Sequence, residues 1–102
     1  MTIDEVKEIV QVQVQDDPGS TNDHGITLQQ TLVPPTRITV IVQIVRDGEI
    51  KEHSEEVWLV GRERSNGGYG IIMREDGLQF GLASDGFFVG WYGSLKSAFI
   101  GM

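Results

Sequence analysis

Residues 76–84, DGLQFGLAS, are followed directly by residues 85–93, DGFFVGWYG. Both nine-residue units begin with Asp-Gly and carry a glycine at the sixth position. Asp-Gly is a preferred pair for the tight turn between two antiparallel strands. Apolar side chains follow each turn, as expected for a strand with one buried face. The repeat therefore predicts a β-meander with strands at 69–75, 78–84 and 87–92.

The predicted turns also determine which residues lie opposite each other, because the side-chain period of a strand is two. In this register Gly81 lies opposite Gly90, and the two glycines leave a notch without side chains. One face of the meander forms the predicted core, and it carries Ile71, Met73, Phe80, Leu82, Val89 and Trp91.

The other face of the meander is the predicted binding site. Phe88 and Tyr92 flank the notch, and glycine within a strand can mark close approach of a ligand or another backbone. We therefore take Gly81, Phe88, Gly90 and Tyr92 as candidate binding residues. Packing of the chain's own terminal helix, or of a neighbouring strand, into the notch is the purely structural alternative.

Composition favours the same fold class. Valine and isoleucine outnumber leucine and alanine, and β-branched side chains suit strands better than helices. Ser94 can cap a short C-terminal helix with an apolar stripe of Leu95, Ala98, Phe99 and Met102. We predict one mainly β domain over residues 1–102, a curled antiparallel sheet or partly open barrel. Acidic, Ile/Val-rich strands fill 1–60, and the meander and terminal helix fill 61–102.

The N-terminal third is ambiguous. Residues 10–15, VQVQVQ, alternate strictly and predict an edge strand with one wet face. Thr2 and Glu5 have the spacing of a capping box, and Val6, Ile9 and Val10 follow at helical intervals, so a short helix can precede this strand. The alternative is a strand over the whole stretch from Val6. Residues 26–33 are predicted as a second strand that Pro34 and Pro35 end.

Residues 37–45 are apolar on both faces and are predicted as a central strand, followed by a hairpin turn at 46–49. A three-residue turn places Ile44 opposite Ile50, and we prefer it to a two-residue turn that pairs Val45 with Ile50. Neither register explains why Glu52, Ser54 and Glu56 would face valines on a buried side. The return strand is therefore expected to be bulged, or to project beyond the core.

Charge and composition exclude several classes of function. The formal net charge is −7 and there is no cysteine, which excludes thiolate metal sites and disulfide scaffolds. The whole negative excess lies in residues 1–56, so nucleic acid and membranes are not expected partners. The first residues lack the form of a signal peptide, and a cytoplasmic location is expected.

Three clusters suggest chemistry only weakly. Asp16, Asp17, Asp23 and His24 share one loop but lack the pattern of a calcium loop, so a solvated acidic loop is expected and no metal. Residues 62–68 are predicted as a wide hairpin loop without the ending of a phosphate loop. His53 lies among carboxylates, as in many solvated strands. We predict no catalytic residue, no cofactor and no enzymatic activity.

The leading functional hypothesis is a non-catalytic protein-binding or assembly module, with another protein or a second copy as the partner. A homodimer through a strand edge or the notch is consistent with it. One alternative is a small acidic inhibitor or immunity-type protein that caps a basic partner through the carboxylates of residues 47–56. The other is a small-ligand-binding barrel, or an enzyme with its site in the barrel mouth.

Overall fold

A computed structural model describes residues 1–16, 19, 21, 25–64 and 67–102. Five strands form a closed barrel in chain order, which confirms the mainly β fold. The strands are β1 (Leu32–Arg46), β2 (Glu49–Arg64), β3 (Gly67–Met73), β4 (Phe80–Ser84) and β5 (Phe87–Gly93). The helices are α1 (Ile3–Asp16), α2 (Leu28–Thr31) and α3 (Leu95–Ile100). Among the described residues, no helix has the length and apolar character needed to cross a membrane.

The barrel closes at a short seam. Consecutive strands pair antiparallel, whereas β1 and β5 are parallel and pair only at Ile41 and Phe87. The N–H of Ile41 donates to the carbonyl of Gly86 at 2.8 Å. The seam therefore holds β1 at one point and leaves the rest of that strand edge unpaired by β5.

Two apolar clusters stabilise the barrel. The inner cluster takes side chains from all five strands and fills the interior: Val40, Val57, Leu59, Ile72 and Ala83, with Val33, Ile38, Phe88 and Trp91 packed against them. The outer cluster lies between β2–β4 and the three helices: Val6, Val10, Val14, Leu28, Trp58, Val60, Ile71, Met73, Phe80, Leu82, Leu95, Ala98 and Phe99. Residues 71–73 and 80–83 of the meander are therefore buried on both faces, including the face predicted to be exposed, whereas β5 leaves Phe87, Val89 and Tyr92 exposed.

The meander register is confirmed in its first half. Ile71 pairs with Leu82 and Met73 with Phe80, as predicted. Between β4 and β5 the register shifts, because Ala83 pairs with Phe88 but Leu82 pairs with Gly90. Val89 is the extra residue of this bulge and is exposed.

A bulge moves the side chains that directly follow it to the other face of the sheet. Here this affects Gly90 and Trp91, because a second register shift follows between Phe80 and Gly81. The predicted pairing of Gly81 with Gly90 is therefore wrong, since Gly81 pairs with Trp91. Val89 and Trp91 leave the predicted core face, and Trp91 joins the inner cluster instead.

The predicted edge strand at 10–15 is wrong, because these residues are helical. The possible short helix after Thr2 is present, and it continues through them to Asp16. Val6, Val10 and Val14 are buried, whereas Val12 is 57% exposed. A strict alternation also contains a spacing of four, and a helix brings residues four apart onto one face. Every second valine of the alternating stretch therefore reaches the core.

The predicted strand at 26–33 is also wrong. Thr27 and Gln30 form a capping box that begins α2, and β1 starts only at Leu32. β1 then continues through Pro34 and Pro35, where its pairing with β2 shifts between Leu32 and Thr36. The irregular pairing accommodates the prolines, since a residue at a bulge need not donate to the ladder.

The turn between β1 and β2 contains two residues, so the preferred three-residue turn is wrong. Asp47 and Gly48 have φ of 54° and 77°, and Val45 pairs with Ile50. Left-handed backbone at both positions matches the twist of the two strands. Apolar matching does not decide this register, because the side chains concerned face solvent.

The remaining predictions concern two loops and the C-terminus. β2 and β3 extend to Arg64 and from Gly67, so the predicted loop at 62–68 is largely strand. Asp16, predicted in the acidic loop, is the last residue of α1, and Asp17, Asp23 and His24 lie outside the described residues. The α3 cap is confirmed: the Ser94 hydroxyl accepts from the Ser97 N–H at 3.1 Å.

Candidate functional site: the projecting hairpin arm

The predicted notch is filled by the chain itself. Gly81 is buried, and a Cβ placed on it would collide with the Gly90 carbonyl oxygen and lie 2.8 Å from Trp91 Cε3. Gly81 is thus a site of close approach, but its occupant is β5 and not the terminal helix. This packing explains the glycine without a ligand.

The aromatic residues beside the notch are separated. The ring of Phe88 packs in the inner cluster, with its centroid 5.1 Å from that of Trp91. Tyr92 is exposed, and its ring lies against Gly101 just after α3. A binding role for Gly81, Phe88, Gly90 and Tyr92 stays a prediction, without the common open surface that motivated it.

The largest unpartnered feature is the outer part of the hairpin formed by β1 and β2, which we call the arm (residues 41–56). Every residue of the arm is exposed except Val42, which is half-buried. β3 begins to pair with β2 only at Trp58, and β5 pairs with β1 only at Ile41. The arm therefore projects from the barrel as a two-stranded ribbon, as predicted for the return strand.

The predicted central position of residues 37–45 is wrong for the same reason. Val40 at the base of the arm is fully buried, but Ile44 and Val45 have no sheet above them and are exposed. An all-apolar strand does not have to be central when it extends beyond the barrel that covers its base.

The alternation of hydrogen bonds determines which backbone groups of the arm point outward. Arg46 and Glu49 flank a two-residue turn, so they form a hydrogen-bonded pair, and every second pair below them does the same. The backbone N–H and C=O groups of Gln43 and Val45 consequently point away from β2. Ile41 follows this pattern, since its N–H bonds outward to Gly86.

We call residues 42–46 of β1 the open edge. Within the described ranges, 1–16, 19, 21, 25–64 and 67–102, no strand pairs with the open edge on the side away from β2. An unpaired row of N–H and C=O groups is a template for another strand.

The two edges of the arm differ in charge. Residues 38–45 of β1 contain no charged side chain, whereas residues 49–56 of β2 contain four glutamates and one lysine. Charged side chains protect strand edges from pairing with other chains. The β2 edge carries this protection and the open edge, apart from Arg46 at its end, does not.

The arm exposes apolar side chains on both of its faces. Val45 and Ile50 are cross-strand neighbours near the tip, with 73% and 68% of their surfaces exposed. Ile44 lies on the opposite face, and Ile41 at the base pairs with the exposed Phe87. Exposed apolar clusters of this kind mark interaction surfaces.

Arg37 contacts three segments at the base of the arm. The guanidinium forms ion pairs with Glu75 and, at 3.6 Å, with Glu56, and its carbon lies 5.3 Å from the centroid of the Trp58 ring. Arg37 thereby connects β1, β2 and the segment after β3. The arm begins from an anchored base.

The carboxylates of β2 are partly engaged within the arm. Glu52 accepts a hydrogen bond from the Gln43 amide at 2.9 Å, and Glu55 lies 3.0 Å from His53 Nε2. His53 is exposed on the arm. The described residues hold no cluster of three or more His, Asp or Glu side chains suited to a metal ion.

A surface concavity lies at one mouth of the barrel. It has a volume of about 300 Å³, and its lining comprises Ile38, Arg62, Gly68, Gly70, Ala83, Asp85 and Gly86. The barrel interior behind it is occupied by the inner cluster, in which Val40, Val57 and Ile72 are at most 1% exposed. This mouth is a shallow surface cavity and does not lead to an internal chamber.

No protein-family model matches the chain. Comparisons with curated proteins and with solved structures also give no match. The functional argument therefore rests on the geometry of the arm.

Proposed function

We propose that this chain is a non-catalytic protein-binding module that recruits an extended strand along the open edge. The observation that carries the proposal is an uncharged strand edge, with outward N–H and C=O groups at Gln43 and Val45, on an arm outside the core. Strand addition derives affinity from main-chain hydrogen bonds and specificity from alternate side chains.

The surroundings of the open edge support this function. Ile41, Ile44 and Val45 offer apolar contacts on both faces of an added strand. The anchored base holds the edge in one direction, which reduces the entropy lost on binding. Because the arm is exposed, it contributes little to the core. A role in binding would explain why the chain carries it.

A displayed library of ten-residue peptides tests the proposal, with the protein immobilised at low density so that two copies cannot meet. The test variant Gln43→Pro removes an outward N–H from β1. The control Glu52→Pro removes an outward N–H from β2 at the same height, and both variants lose the same Gln43–Glu52 side-chain hydrogen bond. Neither proline removes a bond between β1 and β2, because both N–H groups point outward.

Peptides selected on the wild type should bind Gln43→Pro at least about tenfold more weakly, the cost expected for one or two lost hydrogen bonds. They should bind Glu52→Pro with nearly unchanged affinity. Equal binding to both variants, or selection of no peptide at all, contradicts recognition of peptide strands at the open edge.

An acidic inhibitor is the second candidate function. It is favoured by the exposed carboxylates of β2 in the arm, although Glu52, Glu55 and Glu56 already contact Gln43, His53 and Arg37. Binding of a basic probe such as a poly-lysine decapeptide would then fall steeply with salt and would be weakened by Glu49→Gln. A salt-independent interaction would favour strand addition instead.

A further inference from the structure

We infer that the strand recruited by the open edge is the open edge of a second copy, paired antiparallel about a two-fold axis at Ile44. The inference rests on the proposed function and names its partner. In this dimer the two arms form one continuous four-stranded sheet. Its strand order is β2 and β1 of the first copy, followed by β1 and β2 of the second copy.

The extent of the open edge selects the axis. Ile41 is already bonded to Gly86, so a second strand has access only from Val42 upward, and the turn begins after Arg46. Residues 42–46 are centred on Ile44. An axis at Ile44 pairs all five of these residues, whereas an axis at Gln43 would place Val45 of the second copy against the occupied edge of Ile41.

The same axis satisfies the outward backbone groups. It places Gln43 opposite Val45 of the second copy, and both residues point their N–H and C=O groups outward. Each of the two equivalent pairs forms two hydrogen bonds, which gives four across the interface. An axis between residues would pair outward groups with inward ones and leave them unsatisfied.

The side chains are compatible with self-pairing. Ile44 meets Ile44 of the second copy, and Val42 lies beside Arg46, so like charges do not face each other across the new ladder. The acidic β2 strands of the two copies are separated by three strand spacings, roughly 14 Å. This separation exceeds the Debye length of about 8 Å at physiological ionic strength, so the net charge of −7 does not prevent pairing.

Sedimentation velocity over a concentration series measures the assembly. The wild type should pass from monomer to dimer, Glu52→Pro should do the same, and Gln43→Pro should require about tenfold higher concentration or more, since it loses two of the four bonds. A wild type that stays monomeric at about 0.5 mM overturns the inference. A dimer that Gln43→Pro leaves unchanged also overturns it, because its interface lies elsewhere.

Cysteine cross-linking tests the axis, since the chain has no native cysteine. Ile44→Cys should form a disulfide-linked dimer under mild oxidation, because a non-hydrogen-bonded pair places the Cα atoms about 4.5 Å apart, within the range of a disulfide. Lys51→Cys, on the same face of the arm but on β2, should remain monomeric. Faster linkage of Val45→Cys than of Ile44→Cys overturns the axis at Ile44.

The two proposals can fail separately. A monomeric wild type whose selected peptides still distinguish Gln43→Pro from Glu52→Pro retains strand addition and rejects the second copy as the strand. A dimer that is lost in Gln43→Pro, with no peptide selected, supports an edge that recognises only itself. Failure of both measurements removes the open edge as a binding surface.

Discussion

Gly81 and Gly90 occupy similar positions in the nine-residue repeat but have opposite structural roles. A Cβ on Gly81 would collide with the Gly90 carbonyl and crowd the Trp91 ring, whereas a Cβ on Gly90 would meet only Tyr92 Cε2, at 3.8 Å. The repeat predicts that the two glycines are equivalent. Their difference comes from the bulge at Val89, which a repeat in sequence does not reveal.

Gly81→Ala should lower the free energy of unfolding by about 1–3 kcal/mol or more, because backbone atoms must move to admit the methyl group. Gly90→Ala should stay within about 0.5 kcal/mol of the wild type, since 3.8 Å is an ordinary contact distance. Urea denaturation of both variants measures the difference. Equal losses would indicate that the bulge is absent in solution.

The contribution of Glu5 to the stability of the first turn of α1 depends on pH. The backbone hydrogen bond from Thr2 to its carboxylate, 3.0 Å long, lowers the pKa of Glu5 from its ordinary value of 4.5. A carboxylate with a lowered pKa stabilises the fold above its unfolded pKa, and this contribution disappears as the pH falls through the folded value.

Glu5→Gln should therefore be less stable than the wild type at pH 7, and the difference should shrink as the pH falls through the lowered folded pKa of Glu5. Urea unfolding over a series from neutral to acid pH is the measurement. Glu8→Gln, one turn further along α1, controls for the loss of a helix charge. A difference that persists unchanged across the acid range would show that the charge of the cap is not responsible.

At the scale of elements, α1 shows how one pattern can predict two structures. Residues 10–15 alternate, and their β-branched side chains favour a strand, yet the spacing of four between Val6, Val10 and Val14 suits a helix on the outer cluster. Tertiary packing decides between these structures, because helix stability in proteins comes mostly from a buried face.

The helix makes different predictions for neighbouring valines. Val10→Ala should cost about 1–3 kcal/mol, because Val10 is 8% exposed and its deletion leaves a cavity. Val12→Ala should be neutral or slightly stabilising, since Val12 is exposed and alanine has the highest helix propensity. A strand would place both residues on one face and give them similar costs, so thermal unfolding of the two variants distinguishes the structures.

At the scale of the whole molecule, stability and binding reside in different parts. The two clusters draw on the helices and the barrel, and the arm contributes to neither beyond its base at Val40 and Val57. Removal of the arm should therefore affect assembly without affecting folding.

An arm-shortened variant tests this separation. Residues 43–52 are replaced by Asn-Gly, which joins Val42 to His53 through a two-residue turn at a hydrogen-bonded pair. The free energy of unfolding should change by no more than about 1 kcal/mol, because every removed residue is exposed. The dimer should be lost.

Val40→Ala, at the buried base, is the contrasting variant and should lower the free energy of unfolding by about 1–3 kcal/mol. Unfolding of the shortened variant at 25 °C would contradict the separation.

The sequence alone determines those turns, caps and strand pairings whose geometry depends only on residues a few positions apart. The Asp-Gly turn at 85–86, the caps at Thr2 and Ser94 and the pairing of Ile71 with Leu82 all follow from a few adjacent residues. They are predictable because turn chemistry and capping act over two to four positions. The projection of the return strand was also predictable, since its glutamates have no place in a core. The turn at 76–77 differs from its prediction, since the N–H of Gly77 donates to the carbonyl of Arg74.

Only the tertiary structure decided the rest, because burial depends on what lies across the space between elements. The alternating valines became a helix once β2–β4 offered an apolar face, and residues 37–45 became an exposed arm once β5 paired with them at Ile41 alone. The bulge at Val89 turned the predicted notch into packed core. The open edge exists for the same reason: a strand carries two rows of hydrogen-bonding groups, and the fold determines which row is left without a partner.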